Sequence, residues 1–461
     1  MRTKIRVLSY LNSSANQLVM KSVCLGLIPF AFAFFFEFSG CDNDEEKTDD
    51  PAAIEVEENH LTQQPDSPTK AQGRAVTPPK SQKKTEVNFG EALQNVHLKN
   101  LTPSEANSRI EIINRSISFR TEAGRGLEND RFYHVAEVTP PLSPRGDPLS
   151  ATCVQIAENY AFVSWHWNAG KADYHGVLEI YNLHDPGVPK LQSSLVAPDI
   201  DFNHLHADID SLGNGKLYVT GSESPRTQNL KSPAYLGEFI VKKGRFQVEV
   251  SAREDLSSYS GNCVIKHNGK LYTVSGSTNG ALSRFDLNSG KKESALKVNG
   301  LKYIAGNDKF IVVLAQSKPQ SQLAVYPSDA SSFEKPLRTI PVGAITPENG
   351  KNVVFIDDEF AYISTGRLGL KVFDLMTSSS SPFYTYHTLL PGATNGVAAD
   401  GDFIYIANGS SGLHVLHKRQ FMFTGNFSHT GSANFVTTGN HFIIVANGKG
   451  GLTIIRREPV V

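Results

Sequence analysis

Cysteine is scarce in this chain: four in 461 residues, two of which, Cys24 and Cys41, fall at the N-terminal end. The other pair, Cys153 and Cys263, lie far apart, each beside an apolar stretch, and read as buried thiols, not as a disulfide framework. Net charge is equally slight, −1 from 45 basic and 46 acidic residues, and without a clustered surplus of Lys and Arg no nucleic-acid partner is expected. No apolar run reaches the roughly 20 residues that a spanning helix needs. The longest, VCLGLIPFAFAFFF at residues 23–36, is 14 residues long, the length of a signal-peptide core. The signatures of familiar chemistry are missing as well. There is no Gly-x-Ser-x-Gly turn, no His-Glu-x-x-His helix, no phosphate-cradling glycine loop and no Cys–His pairing, and no cofactor or metal is implied. An enzyme built from residues scattered over several loops is the only catalytic reading left.

What is present begins with a targeting segment. The apolar core ends in EFSGC, and the small pair Ser39-Gly40 before Cys41 resembles the lipobox of bacterial lipoproteins. That resemblance implies removal of residues 1–40 and lipidation of Cys41, with Phe38 and Glu37 departing from the usual pattern. Met20 would make an ordinary signal start, so residues 1–19 read as an over-extended N-terminus. A cleaved signal or an uncleaved anchor is the alternative, and either way the chain leaves the cytoplasm for the cell envelope. Residues 41–100 read as a disordered tether. They open with the acidic run DNDEEKTDD and continue through a stretch rich in Pro, Gln, Thr and Lys that cannot bury a core. The acidic run is similar to the surface-export signals of Bacteroidetes lipoproteins. Residues 101–130 read as a short helix and linker: Pro103, a Ser cap at position 104 and isoleucines 110, 113 and 117 predict a helix over residues 104–117.

From residue 131 onward the chain repeats itself. NGVAADGDFIYIANGSSGLHVL at Asn395 is echoed by NFVTTGNHFIIVANGKGGLTII at Asn434 and by NVVFIDDEFAYISTGRLGLKVFDL at Asn352. Asn262 starts another copy and weaker ones start near Thr152, His206 and Lys302, giving seven starts at spacings of 54, 56, 40, 50, 43 and 39 residues. Each copy decodes as three short strands rich in β-branched and aromatic residues, with a fourth before the next copy. Residues 403–407 are apolar at every position, so both faces must be covered, and Gly409 and Gly412 bracket a turn that calls for positive φ. Four strands every 40–50 residues predict an all-β fold, a seven-bladed β-propeller, with six or eight blades as the alternatives. The last copy lacks its fourth strand. RFYHVAEV at residues 131–138 is a strand without a blade and would close the ring.

The third strands LKVFD, LHVLH and LTIIR, together with YIANGSSGL, resemble the LVIVD-repeat proteins, surface or secreted bacterial and archaeal propellers. The resemblance spans roughly residues 152–457 and is strongest in the last three copies. Only Leu370–Asp374 keeps the terminal Asp of that family's motif. It implies the fold far more than an activity.

Chemistry is sought where copies depart from the template. The recurring Asn262, Asn352, Asn395 and Asn434 should ring the channel mouth, capping backbone more readily than gripping ligand. In blade one the short turn becomes SWHWNAGKADYHG at residues 164–176, and blade two opens with PDIDFNHLHADID. These loops should face one another and gather Trp165, His166, Trp167, Asp173, Tyr174, His175, His204 and His206, with Asp199, Asp201 and Asp208 nearby. Aromatic platforms beside polar groups suit a protein or glycan ligand. His204-x-His206 near carboxylates would suit a metal-assisted hydrolase or lyase, though no full ligand set stands at diagnostic spacing. The bland alternative is that these loops plug the channel with Trp165 and Trp167 as core. The sequence thus describes a monomeric, lipid-anchored envelope propeller that displays a binding surface.

Overall fold

The computed structural model describes residues 96–99, 101–119, 130–168, 174–224, 231–276, 278–317, 320–346, 351–387 and 390–459. The signal segment, Cys41, the tether up to residue 95 and Asp173 lie outside the described residues. Among the described residues no helix is long and apolar enough to cross a membrane.

Among the described residues seven antiparallel sheets are present, five of four strands and two of five. Their innermost strands are Ser150–Ala157, Ile200–Ile209, Gly261–His267, Leu301–Gly306, Val354–Ile356, Gly396–Ala399 and Phe435–Gly439, one for each repeat read from the sequence. Each packs against the next around a complete circle, which makes the fold a seven-bladed propeller. The repeats explain the packing. All five residues of Phe403–Ala407 are buried, as the unbroken apolar run requires, and each large side chain withdrawn from water contributes about 1.5–3 kcal/mol. Gly409 and Gly412 have φ of 56° and 84°. A Cβ on Gly412 would lie 2.2 Å from the Phe427 carbonyl oxygen, so only glycine lets the turn sit against the outer strand.

The turns also stitch neighbouring blades. Gly409 N–H donates to Ala433 O at 3.1 Å and Ala433 N–H returns a bond at 3.0 Å, joining blade six to blade seven. Gly366 and Thr394 do the same between blades five and six at 3.0 and 2.9 Å, and Ala151 N–H reaches Gly448 O between blades one and seven at 3.1 Å. On the opposite rim Asp400 caps its own hairpin, accepting from the N–H groups of Asp402 and Phe403 at 2.9 and 2.8 Å. Its second oxygen takes Arg457 of blade seven at 2.8 Å.

The ring is closed by Asp130–Val138, which pairs antiparallel with Leu452–Pro459, Asp130 opposite Pro459 and Val138 opposite Leu452. Upstream chain then straps the seam. His97–Lys99 adds to the outer edge of blade one, and Ile110–Ile117 adds to Asp130–Val138 on the outer edge of blade seven. The propeller therefore starts before residue 131. The helix between these strands is shorter than the sequence suggests: it covers Pro103–Ser108, with a Thr102/Glu105 capping box, and ends at Arg109. The isoleucines lie in the strand. A bulge between Ile112 and Arg115, where Asn114 has φ of 46°, breaks the two-residue period and lets a strand mimic helical spacing.

Arg109 pins the strap. It donates to Glu179 at 2.8 Å and to the Tyr181 hydroxyl at 3.0 Å, and Glu179 is only 1% exposed. Removing the guanidinium strands a buried carboxylate, so Arg109→Ala should lower the unfolding free energy by about 3 kcal/mol in urea denaturation. A change below about 1 kcal/mol would show that the strap does not hold the seam.

Candidate functional site

The innermost strands begin at the rim that also carries the second-to-third-strand turns. Near its start each of the first four skips one residue in its pairing register, at Thr152, Asn203, Asn262 and Lys302. Such a bulge re-aims a side chain. Thr152 Oγ1 donates to Phe202 O at 2.9 Å, Asn203 Nδ2 to Gly261 O at 3.1 Å and Asn262 Nδ2 to Leu301 O at 2.7 Å. Asn395 Nδ2 donates to Ala433 O at 3.0 Å. In every case the acceptor is the carbonyl just before the equivalent position of the next blade. Asn352 instead turns to Ser364 O of its own blade at 3.4 Å, and Asn434 accepts from Ser432 Oγ at 3.1 Å. The asparagines at the mouth are thus committed to backbone and to one another. Asn203 was missed in the sequence because blade two was aligned on His206, three residues too late.

The next residue along each strand faces the axis, and here the blades differ. Val264 N–H donates to His204 Nδ1 at 3.4 Å, which leaves the ring proton on Nε2, 2.9 Å from the Tyr303 oxygen. Tyr303 can then give its own proton to Cys263, whose thiol donates to Ile304 O at 3.5 Å. Cys153 and Cys263 are both free and buried, and burial pushes both thiols up. Above this neutral chain Lys351 of blade five crosses the channel to donate to Asn203 O of blade two at 2.6 Å, its ammonium 5.7 Å from the Phe435 ring. Burial lowers its pKa, opposed by the neighbouring Cys153 and Cys263. These side chains close the upper channel.

The two histidines expected at the rim are therefore inside. His204 is 7% exposed and held in the plug, and burial drives its pKa well below the ordinary value. His206 lies two residues further down the strand, on a channel cavity of about 200 Å³. Burial lowers its pKa to about 4, opposed by Asp208. A period-two strand sends both rings to the same side, but that side is the axis. Among the described residues no group of three or more His, Cys, Asp or Glu side chains could hold a metal.

The remaining candidates stay on the blade-one hairpin. Its strands, Tyr160–Asn168 and Tyr174–Asn182, have nine residues each where blade six has five. Trp165 has no exposure and stacks under Arg109 at 5.9 Å, so it is core and not a platform. His166 is partly buried near Lys351 and Lys449, and burial with these two charges lowers its pKa to about 4. Trp167 keeps 9% exposure beneath the Arg145 guanidinium, 5.2 Å from its ring. The expected meeting of blades one and two occurs here: Asp199 N–H donates to Tyr174 O at 3.1 Å, and Gly176 packs on Phe202. His175 sits beside Asp199. Asp201 is buried with one oxygen unpartnered, and burial raises its pKa.

A further arrangement lies in the turn of blade six. His414 is fully buried, with Nδ1 3.0 Å from Tyr386 Oη and Nε2 2.9 Å from Ser411 Oγ, and Ser411 is also held by Asn408 Nδ2 at 2.7 Å. Both imidazole nitrogens are engaged and burial lowers its pKa to about 4, so the cluster braces the turn.

No family model matches the chain, and no curated protein matches it. Solved structures do. The WD40 repeats of RRP9 superimpose with a TM-score of 0.50 at 12% identity, over 75% of this chain and 100% of that one. The WD40 propeller domain of Doa1 gives 0.48 at 13% identity over 69% and 96%, and the designed Ika8 protein 0.42 at 9% over 75% and 98%. At such identity the likeness to the RRP9 repeats is one of fold, and it agrees with the propeller described above.

His166, His206 and His414 all have pKa values near 4 in the folded chain, against an ordinary value of 6.5. The unfolded state therefore binds protons first as pH falls. Stability is fully present above about pH 6.5 and should drop, by up to tenfold in the folding equilibrium per histidine per pH unit, down to about pH 4. His206→Gln should flatten that slope in denaturant titrations between these limits. An unchanged slope would mean that His206 is not buried as described.

Proposed function

We propose that this chain is a cell-envelope lipoprotein of the LVIVD-repeat kind. In this reading Cys41 anchors it at the outer membrane or cell surface, and its monomeric propeller binds a protein or glycan partner at the rim of blades one and two. One observation carries the reading: the blade-one hairpin is four residues longer on each strand than that of blade six, about 13 Å of extra height, and the neighbouring blade-two hairpin has the same length. The overshoot consists of Trp165–Asn168 paired with residues 174–177, so it is regular sheet and not a floppy loop. It raises the half-buried Tyr174, over the buried Trp167 and His175, to the rim beside the exposed Arg145 and the 61% exposed Leu142. A rigid aromatic and cationic edge of this kind suits anchoring contacts to a macromolecule. The disordered tether expected between Cys41 and the propeller would let that rim search the space around its anchor.

The alternative, a hydrolase or lyase working from this rim, needs His204 and His206 there, and both line the channel instead. The binding reading is tested by probing a glycan array and envelope-protein extracts with the full chain and with the paired change Leu142→Ala, Arg145→Ala. Capture should fall at least tenfold in the variant while its melting curve stays within a few degrees of the parent. Equal capture by both would refute the rim as the contact surface. Mass spectrometry of the mature N-terminus tests the anchor: a diacylglyceryl-modified Cys41 is expected, and an unmodified one contradicts it.

A further inference from the structure

The channel cavity below the plug differs sharply from one side to the other. Blades seven, one and two, which are consecutive around the ring, supply the axis-facing Thr437, Gln155 and His206, below Phe435, Cys153 and His204. Blades five and six, opposite, supply Val353, Phe355 and Ala398. The polar arc has hydrogen-bonding capacity to spare. Gln155 uses its carbonyl oxygen to accept from Ala207 N–H at 2.7 Å, which leaves its NH₂ group uncommitted. Among the described residues the side chains of His206 and Thr437 make no hydrogen bond at all, whereas nearly every polar side chain in the plug above is paired.

Charge is balanced close by. Lys266 is paired with Asp208 at 2.5 Å, Lys351 is tied to the Asn203 carbonyl above, and the His206 ring is neutral at ordinary pH. Water filling the cavity would satisfy the polar arc but lie against the apolar one, which costs free energy. A ligand that presents an apolar face to one arc and a hydrogen-bonding edge to the other satisfies both. An apolar cavity of about 150 Å³ accepts benzene, so about 200 Å³ accepts one ring with a small substituent.

We propose that this cavity is a binding site for a small, neutral, planar ring compound with hydrogen-bonding groups along one edge, held between the polar arc of blades seven, one and two and the apolar arc of blades five and six. The site is separate from the rim surface proposed above and stands or falls without it.

The test uses the full chain with benzamide and phenol as neutral probes and benzoate as the anionic one, in ligand-observed NMR titrations. Saturable one-site binding of at least one neutral probe is expected, at least tenfold tighter than benzoate. His206→Trp, which places bulk in the cavity, should abolish it. Thr437→Val keeps side-chain volume and removes the hydroxyl that faces the cavity, and should weaken binding about fivefold, the equivalent of one hydrogen bond. If His206→Trp fails to fold, the valine variant still decides the question. Absence of saturable binding by both neutral probes, a preference for benzoate, or unchanged affinity in the valine variant would each overturn the proposal.

Discussion

A ring of sheets has one interface that the chain cannot make by simply continuing, because its two ends must meet there. In this propeller the meeting is a full antiparallel pairing of Asp130–Val138 with Leu452–Pro459, and everything else presupposes it. Without that strand blade seven would end on an exposed edge, the circle of innermost strands would open between blades seven and one, and the channel would lose its walls. The pairing is reinforced by side chains. Thr453 Oγ1 donates to Glu137 at 2.9 Å, and Glu137 also holds His134 Nε2 at 2.7 Å. The strap adds a second layer from the same stretch of chain. It starts on the edge of blade one, passes Arg109 to Glu179, covers the edge of blade seven and sets Phe119 against Phe132 at 4.9 Å and over Gly425 of blade six.

With the seam shut, blade-to-blade register follows from small recurring devices. The glycine turns bond to the next blade on one rim, the bulged residues reach the next blade's carbonyls at the channel mouth, and aspartate hairpins take arginine or lysine from their neighbours on the other rim. Each device is worth little alone, about 1 kcal/mol for a typical hydrogen bond, but the ring makes them cooperative. Such a frame tolerates blades that depart from the repeat. Blade one raises its hairpin to the rim, blades two to four place His204, Cys263 and Tyr303 in the plug, and blade five sends Lys351 across it. Rim and channel thus become two differently equipped surfaces, one extended and partly cationic, the other enclosed and neutral.

The sequence displayed the architecture because propeller blades are local: Phe403–Ala407 had to be buried on both faces, and RFYHVAEV stood as a strand without a blade of its own. It misplaced what depends on irregularity. The bulge at Asn114 gave a strand the spacing of a helix, and the bulge at Asn203 moved the start of blade two by three residues. His204 and His206 look like rim residues when the loop is read forward, yet the strand begins at Ile200 and carries both into the channel. Trp165 looks like a platform until the pairing with Ala151 and Val177 seals it in the core. Lys351 and Arg145 gave no signal, since each is an unremarkable charge in a connecting segment whose reach is set by the other side of the ring.

The central claim is that the strand at residues 130–138 is an integral part of blade seven. Native-state hydrogen exchange followed by mass spectrometry reads this directly, because amides in one cooperative unit open with one free energy. The structure predicts that the amides of residues 130–138 and those of residues 442–456 exchange together, with the same denaturant dependence and among the slowest in the chain. Exchange of residues 130–138 at the rate of exposed loops, with residues 442–456 still protected, would contradict it.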